Sequence, residues 1–189
     1  MRKRFVSVGI KASTLLFVVS VSIALVSCGT ILPVIFSKPS KQAIATIRPA
    51  SGSNVMGTAT FTQSADTIML RIEVNNVAPG LHAVHIHEKG DCSSPDGKSA
   101  GGHWNPTNVA HGKWGEGEFH LGDIGNMTVR EDGTGVIELK TNLWELGTGS
   151  DVDVVGKSII VHAGVDDFTS QPSGDAGARI GCGVIELAE

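Results

Sequence analysis

The chain has 189 residues, of which 41% are hydrophobic, 5% aromatic and 18% charged. That is enough apolar material for one core of ordinary size and too much for a disordered chain. The formal charge of -4 hides an asymmetry: residues 1–27 hold four bases (Arg2, Lys3, Arg4, Lys11) and no acid, and without them 11 Lys and Arg face 19 Asp and Glu, a net -8. So acidic a remainder offers no basic face for counterion release, which excludes a nucleic-acid binder.

In chain order, the first element is an address. A basic MRKR start precedes the apolar run ASTLLFVVSVSIALVS, residues 12–27, which is short for a bilayer-spanning helix and long enough for export. An uncleaved membrane anchor is the alternative on length alone. The run ends in Leu25-Val26-Ser27-Cys28, which resembles the lipobox of bacterial lipoproteins. That resemblance implies a signal peptide over residues 1–27, a lipidated Cys28 as mature N-terminus, and attachment to a bacterial membrane in the cell envelope. Several acyl chains on one residue anchor stably where a single chain does not. Residues 28–41, with Pro33, Pro39 and several serines, then read as lipid site and tether.

The domain proper, residues 42–189, reads as strands. Short β-favouring runs recur at 42–47, 55–62, 67–74, 81–88, 127–131, 135–140, 158–162 and 180–187. In the third, Ile68, Leu70, Ile72 and Val74 alternate with Met69, Arg71 and Glu73, the period of a sheet with one wet face. Turn pairs such as Asp132-Gly133 separate neighbours. Eight strands without a useful amphipathic helix predict an all-β sandwich or barrel. Two stretches, 90–125 and 164–177, do not read as strands, and long irregular segments in a compact domain are usually functional.

The cysteines fit an oxidising compartment. With Cys28 taken by lipid, Cys92 and Cys182 remain as an even pair whose bridge would close a 90-residue loop; two buried free thiols are the alternative.

All seven histidines lie between residues 82 and 162. His85 and His87 share strand parity and leave the same face, whereas His82 has the opposite parity and is expected to bond a nearby carbonyl. His103, His111, His120 and Asp123 follow in a glycine-rich loop, and His162 ends a later strand. Imidazole suits copper and zinc, and a carboxylate can complete a tetrahedral zinc site. Six histidines and one aspartate exceed any single site, but fill two four-ligand sites if one histidine binds through both ring nitrogens.

The order HAVHIH, GDC, GGHWNP, HGKWGEGEFHLGD, IIVH, DD, SGDAGARIGCG resembles the copper, zinc superoxide dismutases of the exported bacterial type, from about Ala43 to Leu187. The resemblance implies an eight-stranded antiparallel Greek-key, immunoglobulin-like sandwich or barrel with two long functional loops. It implies dismutation of superoxide to oxygen and hydrogen peroxide, as antioxidant defence. Copper would be held by His85, His87, His103 and His162, and zinc by His103, His111, His120 and Asp123, with His103 as bridge and catalytic group. Asp166 would orient His85 and His111 from behind, Cys92 and Cys182 would be disulfide-bonded, and Arg179 would guide the anion beside copper. The implied partners are superoxide and a membrane through Cys28, with monomer and homodimer both open.

The sequence departs from the family at Ala83 and Val84, where Gly-Phe is common, at Trp104, where Phe or Tyr is usual, and over 164–178, which lacks the eukaryotic charged run. None of these removes a ligand. Lys89, Lys98 and Lys113 read as solvated charges. A non-enzymatic copper carrier would need neither Arg179 nor the zinc set, and a zinc hydrolase would need an H-E-x-x-H glutamate that is not present.

Overall fold

The computed structural model describes residues 41–189. The expected signal segment, Cys28 and the tether as far as Ser40 lie outside the described residues. Lys41, the last residue of the expected tether, is hydrogen-bonded to the domain. Its ammonium donates to the Leu146 carbonyl at 3.2 Å, and its own carbonyl accepts from the Gln63 N–H at 2.9 Å.

The elements are β1 (Gln42–Pro49), β2 (Met56–Ser64), β3 (Thr67–Asn75), β4 (Gly80–His87), a single 3-10 turn (Lys98–Ala100), β5 (Gly125–Val129), β6 (Gly135–Thr141), β7 (Ser158–His162), β8 (Arg179–Val184) and β9 (Glu186–Leu187). The strands form one sheet in the order β2-β3-β6-β5-β4-β7-β8-β1-β9, and β1 also pairs with β2, so the sheet closes into a barrel. The chain connections from β3 to β4 and from β6 to β7 each skip two strands, which is Greek-key topology. β5 touches β6 through a single pair, Val129 with Gly135.

The all-β architecture agrees with the expected one. Most strand ends move by one or two residues, and two of the shifts have a visible cause. The last expected strand breaks at Ile185, whose N–H donates to the Lys157 carbonyl while its carbonyl accepts from Gly156. That turns the fully buried Ile185 side chain into the core and leaves β9 as a two-residue tail on β1. β5 ends two residues early because Arg130–Gly133 forms the expected turn, closed by the Gly133 N–H on the Arg130 carbonyl.

Alternation sorts the barrel. The even residues of β3 (Ile68, Leu70, Ile72, Val74) join Phe61, Val84, Ile86, Met127, Trp144, Ile159 and Val161 inside. Each such side chain contributes about 1.5–3 kcal/mol relative to exposure. β4 and β7 are buried on both faces beyond the first residues of β4. Their second face is roofed by the two irregular segments, here 88–124 and 163–178. The roof rests on a small cluster of Ala100, Ile160 and Cys182 with Cys92 against it, and Cys92 and Cys182 are disulfide-bonded across 90 residues with Cα atoms 5.8 Å apart.

Candidate metal centre

Strand parity decides which histidines meet. Val84 and Ile86 point into the barrel, so His85 and His87 emerge under the roof. On the neighbouring β7, Ile159 and Val161 point inward, which sends His162 out on the same side, and Val84 pairs with Val161 in register. His82 lies elsewhere: Nδ1 faces the His162 carbonyl and Nε2 the Ala78 carbonyl, both at 2.9 Å. It is structural, as its parity predicts.

The first irregular segment is stitched to β4 by its backbone. His103 forms an isolated bridge with His87, the Trp104 N–H donates to the Ile86 carbonyl at 2.9 Å, and Ile86 N–H donates to Gly122 at 2.8 Å. A Cβ on Gly122 would lie 2.3 Å from the Ile86 carbonyl oxygen, so only glycine allows this approach. His103 and the His120–Asp123 turn are thereby held over the strand that carries His85 and His87.

The side chains form two groups that share one member. Ligand atoms of His85, His87, His103 and His162 lie within 4.8 Å of one another, and so do those of His103, His111, His120 and Asp123. His103 stacks 4.0 Å from His85, centroid to centroid, and lies 5.3 Å from His111 and 5.6 Å from His120.

Every ring but that of His103 is fixed by a bond at its far nitrogen. His85 Nε2 donates to Asp166 Oδ2 at 2.8 Å, His87 Nδ1 to the Gly101 carbonyl at 2.9 Å, and His162 Nδ1 to Gly177 at 3.3 Å. His111 Nε2 pairs with Asp166 Oδ1 at 2.9 Å, and His120 Nε2 donates to the Val109 carbonyl at 3.1 Å. Carbonyls and carboxylates only accept, so in the neutral rings these bonds put the protons on the outer nitrogens and aim the inner lone pairs at the two centres.

The inner nitrogens test the fit to metal. His85 Nδ1, His87 Nε2, His103 Nε2, His111 Nδ1, His120 Nδ1 and His162 Nε2 are all buried without a hydrogen-bond partner. Buried polar atoms are ordinarily satisfied, and an acceptor of lone pairs at each of the two points would satisfy all six. His103 Nδ1, His111 Nδ1 and His120 Nδ1 lie 2.8, 3.0 and 3.2 Å from the oxygens of Asp123. Three nitrogens and a carboxylate match zinc, and four imidazole nitrogens match copper.

Electrostatics separate the halves. Burial, reinforced by neighbouring histidines and Arg179, holds His87 and His162 far below their ordinary value and so neutral. His103 is pushed down to about 4 by burial, against the pull of Asp123. His111 goes the other way: burial lowers it, but the carboxylates of Asp123 and Asp166 on either side outweigh burial and raise it to about 9. Burial raises Asp123 and Asp166, and their histidine partners more than reverse this, holding both well below the carboxylate range.

Arg179 opens β8 opposite His162 in register. Its two terminal nitrogens donate to the Gly97 and Gly101 carbonyls at 2.8 and 2.7 Å. The Gly101 carbonyl therefore joins Arg179 to His87. The expected solvated lysines include two surface ion pairs, Lys98 with Asp96 and Lys113 with Glu116.

Sequence reading missed the amides that hold this frame. The Asn126 side chain donates to the Asp166 carbonyl at 2.9 Å and accepts from its N–H at 2.8 Å. Gln171 does the same to His111, both bonds at 2.9 Å. No local pattern marks such an amide, because its partner is 40 or 60 residues away. Gly174 was also missed: a Cβ there would lie 1.9 Å from Asp166 Oδ1 and 2.7 Å from His111 Nε2.

Comparison with known proteins agrees with this geometry. The family model described as copper/zinc superoxide dismutase (SODC) matches residues 55–185. The superoxide dismutase [Cu-Zn] of Caulobacter vibrioides is 38% identical over 150 residues, which is 77% of this chain and 86% of that protein. The extracellular superoxide dismutase [Cu-Zn] of Caenorhabditis elegans is 34% identical over 143 residues, 72% of this chain and 63% of that one. The crystal structure of the clock protein EA4 is similar with a TM-score of 0.70 at 30% identity, covering 80% of this chain and 97% of that chain.

Proposed function

This chain belongs to the copper/zinc superoxide dismutase family, and on that premise we propose how its residues divide the family's work. The reaction is dismutation: two superoxide anions and two protons become one dioxygen and one hydrogen peroxide, with copper and zinc as cofactors. Copper, when bound, supplies the one-electron chemistry, and zinc supplies none.

His85, His87, His103 and His162 hold copper, and His103, His111, His120 and Asp123 hold zinc. The observation that carries this assignment is the set of six buried, unpartnered ring nitrogens aimed at two points that share His103. His103 Nε2 faces the copper half and Nδ1 the zinc half, so Nε2 is where a proton can be held for the departing peroxide. Asp166 fixes the orientation of His85 and His111. Arg179 presents a fixed cation to the incoming anion, its fork held open by two carbonyls. The Cys92–Cys182 bridge ties the Gly97–Gly101 stretch to the strand that Arg179 begins.

The test is superoxide consumption by the purified full chain loaded with copper and zinc, with and without cyanide, beside His87→Ala. Cyanide-sensitive dismutation near the diffusion ceiling of roughly 10⁸ to 10⁹ M⁻¹s⁻¹, lost in a folded His87→Ala protein, supports the assignment. Full activity in the variant overturns it.

The chain is an exported, lipid-anchored enzyme of a bacterial cell envelope. Residues 1–27 act as signal peptide, Cys28 carries the lipid, and residues 28–41 span the lipid site and tether. The extracellular name of one relative is in keeping with export. A homodimer has a candidate face in the apolar surface around Leu81, Trp114, Ile137, Leu139 and Phe168, which lines a cavity of about 500 Å³.

A further inference from the structure

The zinc half sits over an aromatic support that metal ligation does not explain. Trp144 follows β6 and is almost completely buried. Its ring centroid lies 6.0 Å from that of Phe61 and 5.3 Å from that of Trp114, and Trp114 lies 4.9 Å from Phe119, the residue before His120. Its indole N–H donates to the Leu121 carbonyl at 2.9 Å. Leu121 lies inside the His120–Asp123 turn, whose ends are joined by the Asp123 N–H on the His120 carbonyl at 3.0 Å. A shift of Leu121 therefore moves both residues together.

Trp144 is itself held in place. The segment after it is gathered around Asp153, whose carboxylate accepts from the N–H groups of Gly147, Thr148, Gly149 and Val155. Among the described residues, Trp144 is the one tryptophan of three whose indole N–H meets a protein acceptor. A core filler needs only ring volume. The directed N–H, ending on the carbonyl between two zinc-half residues, does something volume alone cannot.

We propose that Trp144 is a positioning residue for the zinc half: its N–H to Leu121 sets His120 and Asp123 in place before metal arrives. This rests on the zinc assignment above. Removing the bond leaves the Leu121 carbonyl unpaired and lets the turn drift, so the ligands must be ordered at the moment of binding.

The test is zinc affinity of the metal-free full chain, by competition with a chromophoric chelator, for wild type, Trp144→Phe and Phe61→Leu. Trp144→Phe keeps most of the ring and loses the N–H. It should bind zinc about tenfold or more weakly, bind copper at the other half unchanged, and show an altered visible spectrum with cobalt in place of zinc. Phe61→Leu loosens the packing against the same ring, and should lower urea stability while leaving zinc affinity alone. Wild-type zinc affinity in Trp144→Phe overturns the inference, and so does an equal loss at both metals, which marks general loosening. A wild type that takes no zinc through His111 and Asp123 overturns the metal assignment instead. If Trp144→Phe does not fold, biosynthetic replacement of all tryptophans by benzothienylalanine removes the same single hydrogen bond with shape retained. Unchanged zinc affinity then overturns the proposal.

Discussion

His103 offers both ring nitrogens, and that single fact turns two clusters into one centre. Every other histidine in the centre spends one nitrogen on a carbonyl or on Asp166 and keeps one for the interior. Arg179 acts at the same scale. With Arg179→Ala, both metals should still bind, because no ligand is lost, while superoxide turnover slows by about tenfold or more as the local field weakens. Pulse radiolysis together with metal analysis checks both halves of that expectation. His111 carries a pH prediction whose sign follows from its raised value. In the metal-free protein its imidazolium lies between Asp123 and Asp166, so it adds stability that is full below its ordinary 6.5 and is lost as pH rises through about 9. Zinc must displace that proton. Zinc uptake near neutral pH should therefore release a proton from His111, and above about pH 10 it should not. Calorimetry in buffers of different ionisation enthalpy reads the difference.

At the level of elements, β4 and β7 put dry residues on one face and His85, His87 and His162 on the other, and the two irregular segments cover the second face. Neither segment has regular structure beyond one short 3-10 turn, so its order comes from stitches: backbone bonds to β4, the amides of Asn126 and Gln171, and one covalent tie. Gly174 belongs among them, since any side chain there would occupy the place of the Asp166–His111 bond. Cys182→Ser should destabilise the metal-free domain by about 4–5 kcal/mol in the chain-entropy model for a loop of this length, measured by urea unfolding. It should also weaken copper binding, because the Gly101 carbonyl that orients His87 lies on the released segment.

On the scale of the whole molecule, a net charge of -8 beyond residue 27 opposes the approach of an anion. Attraction must then be local, built from Arg179 and the metal centre rather than from the domain's overall field. The proposed anchor is also a property of the whole chain. Cys28→Ser should move the protein from the membrane fraction to the soluble fraction with its specific activity intact, scored by fractionation and assay. Continued membrane association would favour an uncleaved anchor.

The sequence by itself determined the all-β class, the strand alternation, the two irregular segments and the histidine set. These are local signals: parity is visible at two-residue spacing, and His85 and His87 declare a shared face within one strand. Family resemblance added the partition into two metal sets and the cysteine pairing. Tertiary structure alone decided the break at Ile185, the amide clamps of Asn126 and Gln171, the demand for glycine at 122 and 174, and the bond from Trp144 to Leu121. Each of these joins groups far apart in the chain, and a hydrogen bond or a close approach across such a distance leaves no periodicity for a sequence to show.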